Sequence, residues 1–243
     1  MKRLSHTAAL TTLALTLSTG CAGTRVYSPA SAAGFDLSPG REIDDAAIER
    51  AFKARPQLRV PARVAFYSFD PSRTDQIAEQ LEQLPQVKST YAIPPFIMTG
   101  QRRFDERAPR QRPPSLKKMR LLAARARCDL LLIFDYGHRI KRTLNWLSAF
   151  TVFIVPTLFL PYLDEEVESY LTAYVIDVRN GYLYGQVTSD KKRGKAYSSI
   201  YSDWGTETTK AFWSKLLGDT RGALDKLLAR RDLREGAAGK TAP

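Results

Sequence analysis

The nine residues from Cys128 to Tyr136, Cys-Asp-Leu-Leu-Leu-Ile-Phe-Asp-Tyr, constrain the fold more than any other stretch of the chain. The apolar run inside them is unbroken, too short for a typical helix and without polar alternation. That is how a strand buried on both faces reads. It is expected to form the middle of a sheet, with Asp129 and Asp135 bracketing its two ends about 20 Å apart and capping nearby helix or loop backbone.

The segments around it supply the rest of an α/β fold. Arg41–Ala54 has apolar residues at helical spacing and stops at Pro56. Arg59–Phe69 alternates as a first strand, Asp70-Pro71-Ser72 opens a helix running to about Leu84, and Val87–Ile93 is a second strand ended by Pro94-Pro95. A strand, helix and strand in so few residues imply a parallel crossover. Ser115 is placed to cap a helix over Leu116–Arg127, which leads into the central strand. Glu166–Val178 alternates as a long strand, Asn180-Gly181 signals a hairpin and Tyr182–Thr188 returns beside it. Lys191, Lys192, Arg193 and Lys195 form a basic loop, and Thr206–Leu228 an amphipathic helix. The expected order is β-α-β-α-β followed by antiparallel β-β-α: a mixed sheet of about five strands with helices packed on it and an apolar insertion before the fourth strand.

The first twenty residues stand apart. Lys2 and Arg3 give a positive start, Ala8–Leu17 is apolar, and Leu17-Ser18-Thr19-Gly20-Cys21 is a small-residue cleavage site. This resembles a bacterial lipoprotein signal, which implies cleavage before Cys21 and acylation of that cysteine; Ser18 stands where the pattern usually has Leu. A plain secretory signal with an incidental cysteine is the alternative. Residues 21–40 then read as a flexible tether, 41–232 as a single domain and 233–243 as a disordered tail.

Loss of Lys2 and Arg3 with the signal leaves 35 basic against 25 acidic residues, a net charge of +10. Much of the excess is local. Arg102, Arg103, Arg107, Arg110 and Arg112 lie in a Pro- and Arg-rich loop, followed by Lys117 and Lys118 on the next helix. Behind a lipoprotein signal the matching polyanions are anionic lipid, lipopolysaccharide or wall polymer rather than nucleic acid; a solvated loop is the alternative. Cleavage also leaves Cys128 as the lone thiol, so no intrachain disulfide forms and Cys128 is expected to act as a small core hydrophobe. With His138 the only histidine remaining, a histidine-based zinc site or Ser-His-Asp triad is not expected.

Thr143–Leu163 holds 21 residues without a charge, interrupted by Asn145, Pro156 and Pro161. Three fates are open: packing on the domain or at a homo-oligomer contact, dipping into the bilayer, or spanning it. The aromatic contact candidates are Trp146, Phe150, Phe153, Phe159 and Tyr162. Beyond it, Asp164, Glu165, Glu166 and Glu168 read as a solvated acidic cap.

Taken together, Leu84-Pro85-Gln86-Val87 leading to Ile93-Pro94, the Cys128–Tyr136 strand, the apolar insertion and Tyr174-Val175-Ile176-Asp177-Val178 before the turn resemble the rhombotarget lipoproteins of the bacterial envelope over about Arg59–Leu228. The element order is also similar to a wider envelope fold, that of the Tol translocation protein's N-terminal domain, the lipoprotein activators of penicillin-binding proteins and the curli secretion lipoprotein. These resemblances imply binding or assembly without an active site. No glycine-rich phosphate loop, nucleophile elbow, His-Glu-x-x-His or Cys-x-x-Cys occurs. The expectation is therefore a non-catalytic binding or assembly module without cofactor or metal, anchored through Cys21 on the periplasmic face of the outer membrane, with an envelope protein or a second copy as partner. An envelope hydrolase using Asp135 and His138, or an oligomeric export component, is the alternative.

Overall fold

The structure, a computed structural model, describes residues 24–27, 45–95, 97, 115–148, 161–189, 191–198 and 202–233. The elements in chain order are β1 (Thr24–Tyr27), α1 (Asp45–Lys53), β2 (Ala62–Ser68), α2 (Thr74–Glu82), β3 (Val87–Ala92), α3 (Leu116–Arg125), β4 (Leu130–Leu144), β5 (Leu163–Asp177), β6 (Leu183–Thr188), β7 (Lys192–Ser198) and α4 (Trp204–Ala229). The expected mixed α/β architecture is present, with strand order β3-β2-β4-β5-β6 and with β1 and β7 pairing β4 and β5. The chain divides into a larger unit (27–138, 169–192, 210–243) and a smaller one (1–26, 139–168, 193–209).

In the larger unit, β2 runs parallel to both neighbours, with Val64 opposite Thr90 of β3 and Leu130 of β4. β5 and β6 are antiparallel, with Thr172 opposite Thr188. Because side chains alternate across a strand, Leu130, Leu132, Phe134 and Tyr136 enter one core with Ile77 and Leu81 of α2 and Trp213 and Leu216 of α4. Leu131 and Ile133 enter a second core with Met119 and Ala123 of α3. The central strand is thus covered on both faces: Leu130 to Phe134 are each 2% exposed or less, and each such side chain contributes about 1.5–3 kcal/mol by burial.

Local chemistry sets the boundaries. Asp70 Oδ1 accepts the Ser72 N–H (3.1 Å), and Pro71 starts the 3-10 turn that leads into α2. Ser115 holds the N-cap position of α3, but its side chain makes no capping bond. Asn180-Gly181 forms the β5–β6 turn, closed by the Gly181 N–H on the Asp177 carbonyl (3.0 Å); Gly181 sits at φ +78°, which glycine tolerates best.

Four expectations change. β4 does not stop at Tyr136 but continues to Leu144, so Asp135 lies inside a strand rather than at its end. Lys192–Ser198 is β7, not a loop; its cations sit opposite carboxylates of β5, Arg193 on Glu168 (2.9 Å) and Lys195 on Asp164 (3.7 Å), so cross-strand ion pairs hold a strand with little apolar content. The acidic cluster of β5 is not wholly solvated: Glu165 is fully buried. Thr24–Tyr27, within the stretch expected to be a tether, is β1.

In the smaller unit Asn145 ties together the two ends of the uncharged segment. Its N–H donates to the Tyr162 carbonyl (3.0 Å), and its Nδ2 donates to the Pro161 carbonyl (2.8 Å) and to Asp164 Oδ1 (3.2 Å). Because Thr143 and Leu144 belong to β4 and Leu163 to β5, a continuous helix over 143–163 is not formed. Among the described residues no helix is long and apolar enough to cross a membrane.

Candidate functional site

The parallel strands β2 and β4 begin at the same end of the larger unit, and the β5–β6 hairpin turns there, because the Val178 N–H donates to the Asp129 carbonyl (3.1 Å) beside the start of β4. α3 also ends there. Ala126 and Arg127 close it in a Schellman arrangement: the Cys128 N–H donates to the Ala123 carbonyl (2.9 Å) and the Arg127 N–H to the Ala124 carbonyl (2.9 Å). The residue in the left-handed position is Arg127 (φ 57°), where glycine is the usual choice. The exit from α1 is fastened to the same end, since Asn180 Nδ2 donates to the Arg55 carbonyl (2.7 Å) and the Gln57 N–H to the Tyr184 hydroxyl (2.9 Å).

Three stretches of the chain, 55–63, 125–127 and the turn at 179, therefore bring arginines together. Arg55 and Arg59 precede β2, Arg63 lies in it, Arg125 and Arg127 end α3, and Arg179 stands on the hairpin; all are exposed. Arg50 and Lys53 of α1, with Arg55, Gln57 and Asn180, line an open cleft of about 370 Å³.

The acids at this end are engaged. Asp129 accepts the Arg63 N–H (3.1 Å) and pairs with Arg179 (2.7 Å). Asp177, 2% exposed, accepts the Arg179 N–H (2.8 Å) and the Tyr184 hydroxyl (2.7 Å); burial, then this bond, pushes the Tyr184 phenol above its ordinary value. Glu49 pairs with Lys53 (2.6 Å). What faces solvent is mainly guanidinium, whose planar fork suits phosphate and carboxylate oxygens.

Of the basic residues expected to bind anions, Lys117 and Lys118 are exposed on α3, Lys118 donating to the Ile97 carbonyl. Arg102, Arg103, Arg107, Arg110 and Arg112 lie outside the described residues, as do Cys21, Phe150, Phe153 and Phe159. Trp146 is 75% exposed beyond β4, and Tyr162 is half-buried. Sequence reasoning missed the basic end because its arginines are scattered along the chain and only strand order gathers them. The Arg-x-x-x-Arg spacing of 55, 59 and 63 around a strand start is the one local signal.

Asp135 and His138 are not brought together. Asp135 alternates with Ile133 toward the α3 side, where the Tyr174 phenol feels its charge. It is 5% exposed, its Oδ1 has no hydrogen-bond partner, and burial raises its carboxyl to about 6. His138 stacks on Tyr136 (5.5 Å between ring centres) toward the opposite face, where burial, then the Arg73 charge, lowers its pKa. That face also holds Arg73 over the rings of Trp213 (4.7 Å) and Tyr136 (5.6 Å). Cys128 is buried, and burial raises its thiol pKa.

No family model matches the chain, and no curated protein does. Among solved structures, lipoprotein GNA1162 from Neisseria meningitidis is similar at 14% identity and a TM-score of 0.30, over 65% of this chain and 99% of that one. A likeness of that size says nothing about what this chain binds.

Proposed function

We propose that the chain is a bacterial envelope lipoprotein, anchored through Cys21 on the periplasmic face of the outer membrane, whose α/β domain is a non-catalytic module that binds anionic envelope components. The observation that carries the reading is the basic end, where exposed guanidiniums from three stretches of the chain converge while the neighbouring carboxylates are engaged by backbone, hydroxyl or ion-pair partners. A hydrolase built on Asp135 and His138 has no such support, since the two side chains leave β4 on opposite faces.

Two measurements test this. Cys21→Ser should move the protein out of the membrane fraction; a protein still membrane-bound would contradict anchoring by acylation. Purified wild type should bind inorganic polyphosphate with an affinity that falls steeply with salt, as contacts from several cations require, and Arg55→Ala with Arg63→Ala and Arg179→Ala should weaken it at least tenfold. Salt-independent binding, or no binding, would overturn the anion-binding reading.

A further inference from the structure

The smaller unit combines a short lead to Cys21 with an exposed aromatic turn. β5 holds one edge of β4, and β2 holds the other as far as Phe134. β1 therefore pairs β4 beyond that point, and the smaller unit takes in residues up to 26 together with Arg139–Glu168. Only three residues of chain lead from Cys21 to Thr24, a span of at most about 11 Å. An acyl chain on Cys21 thus keeps this unit close to its bilayer. The turn lies just after β4, where Leu144 is 48% and Trp146 75% exposed. Asn145 holds it: Oδ1 accepts the Leu147 N–H (2.9 Å), Nδ2 donates to the Pro161 carbonyl, and the Asn145 and Ser148 N–H groups donate to the carbonyls of Tyr162 and Asn145 (3.0 Å each). Backbone satisfied in this way can approach hydrocarbon, which an unbonded N–H or C=O could not do cheaply.

We infer that Leu144 and Trp146 form a second bilayer contact beside the acyl group, both side chains seated at the boundary between headgroups and acyl chains. This rests on the reading of Cys21 as acylated and goes beyond it by naming the part of the folded chain that meets the lipid. An indole, apolar in body with one N–H donor, is suited to that boundary. No charge has to follow it in, because Thr143–Leu163 has none, so the contact requires no anionic lipid. Two exposed apolar side chains fall far short of the roughly 800 Å² per partner that a specific protein interface needs. They suffice for a bilayer that the anchor already holds within reach, since tethering turns a weak contact into an intramolecular one.

The test uses the full, processed protein in liposomes of phosphatidylcholine brominated on the acyl chains, with acylation of Cys21 checked by mass spectrometry and attachment by flotation. Of the other two tryptophans, Trp213 is 2% exposed and Trp204 half-buried. Quenching of the intrinsic emission should therefore come mainly from Trp146 and fall by more than half in Trp146→Ser, an exposed position whose change leaves the fold intact. A protein that floats with the liposomes but is quenched equally with and without Trp146 overturns this inference and leaves the anchor standing. A processed protein that is unacylated and does not float overturns both. Quenching that appears only after phosphatidylglycerol is added also overturns it, because charge rather than the aromatic turn would then draw the protein to the lipid.

Discussion

Arg142 closes on a single oxygen of Glu165, Oε1, with both Nε (2.9 Å) and Nη2 (2.8 Å), while the other carboxylate oxygen has no hydrogen-bond partner. Glu165 is fully buried and Arg142 is 39% exposed at its side chain. A Cβ added at Gly205, in the first turn of α4, would sit 2.3 Å from the same Oε1. The smaller unit thus holds one charged pair against a helix start that glycine alone accommodates.

Removing one partner of such a pair leaves a buried charge behind. Arg142→Ala is expected to destabilise by about 3 kcal/mol, and Gly205→Ala should be strongly destabilising as well. The double change Arg142→Met with Glu165→Leu should recover most of the loss. Chemical denaturation of the four proteins checks this, and a double variant no better than Arg142→Ala would contradict it.

Asp135 makes stability depend on pH. Its carboxyl is raised to about 6 in the fold, against about 3.9 in an unfolded chain. Its stabilising share is therefore complete below about pH 4 and is lost as pH rises through about 6. Asp135→Asn, which mimics the neutral acid, should match wild type at pH 4 and exceed it by about 2–3 kcal/mol at pH 8. Urea titrations across that range measure the difference; parallel curves for the two proteins would refute the assignment.

Arg127 occupies a backbone position that disfavours side chains by about 1–2 kcal/mol. Arg127→Gly should stabilise the protein by about 0.5–1 kcal/mol and at the same time weaken polyphosphate binding. Opposite signs in the two assays would mark a residue kept at this turn for its charge; unchanged binding would mean it plays no part in the surface.

Cys128 should resist alkylation in the native protein and react fully once unfolded. Its side chain is buried against Met119 and Ala123, with its thiol pKa raised by that burial. Rapid labelling with a maleimide at neutral pH would show that the second core is open.

Trp146 lies in the smaller unit, just beyond the end of β4. Its 75% exposure beside the Asn145 clasp makes it a candidate partner contact, and Trp146→Ser should leave folding stability within about 0.5 kcal/mol of wild type, as an exposed side chain requires.

Much of the architecture was legible along the chain because it depends on local pattern. Leu130–Phe134 demanded cover on both faces, Asp70-Pro71 opened a helix and Asn180-Gly181 turned a hairpin, each from side-chain chemistry within a few residues. Strand extent was less legible. His138–Leu144 and Lys192–Ser198 are too polar to read as strands alone, and they extend only because neighbours such as Glu165, Glu168 and Asp164 receive their cations. Burial of Glu165 among four consecutive or near-consecutive acids was invisible for the same reason: which carboxylate turns inward is set by strand register, not by composition.

The candidate site divides along the same line. The sequence by itself determined the excess of positive charge, the lone cysteine and histidine of the expected mature chain and the order of elements, all properties of residue type and short-range spacing. Only tertiary structure decided that Arg55, Arg63, Arg127 and Arg179 share one end of the sheet and that Asp135 and His138 part to opposite faces. Those relations span up to a hundred residues or more of chain and arise from parallel pairing of β2 with β4, from the alternation of side chains across β4 and from the fastening of Arg55 to Asn180.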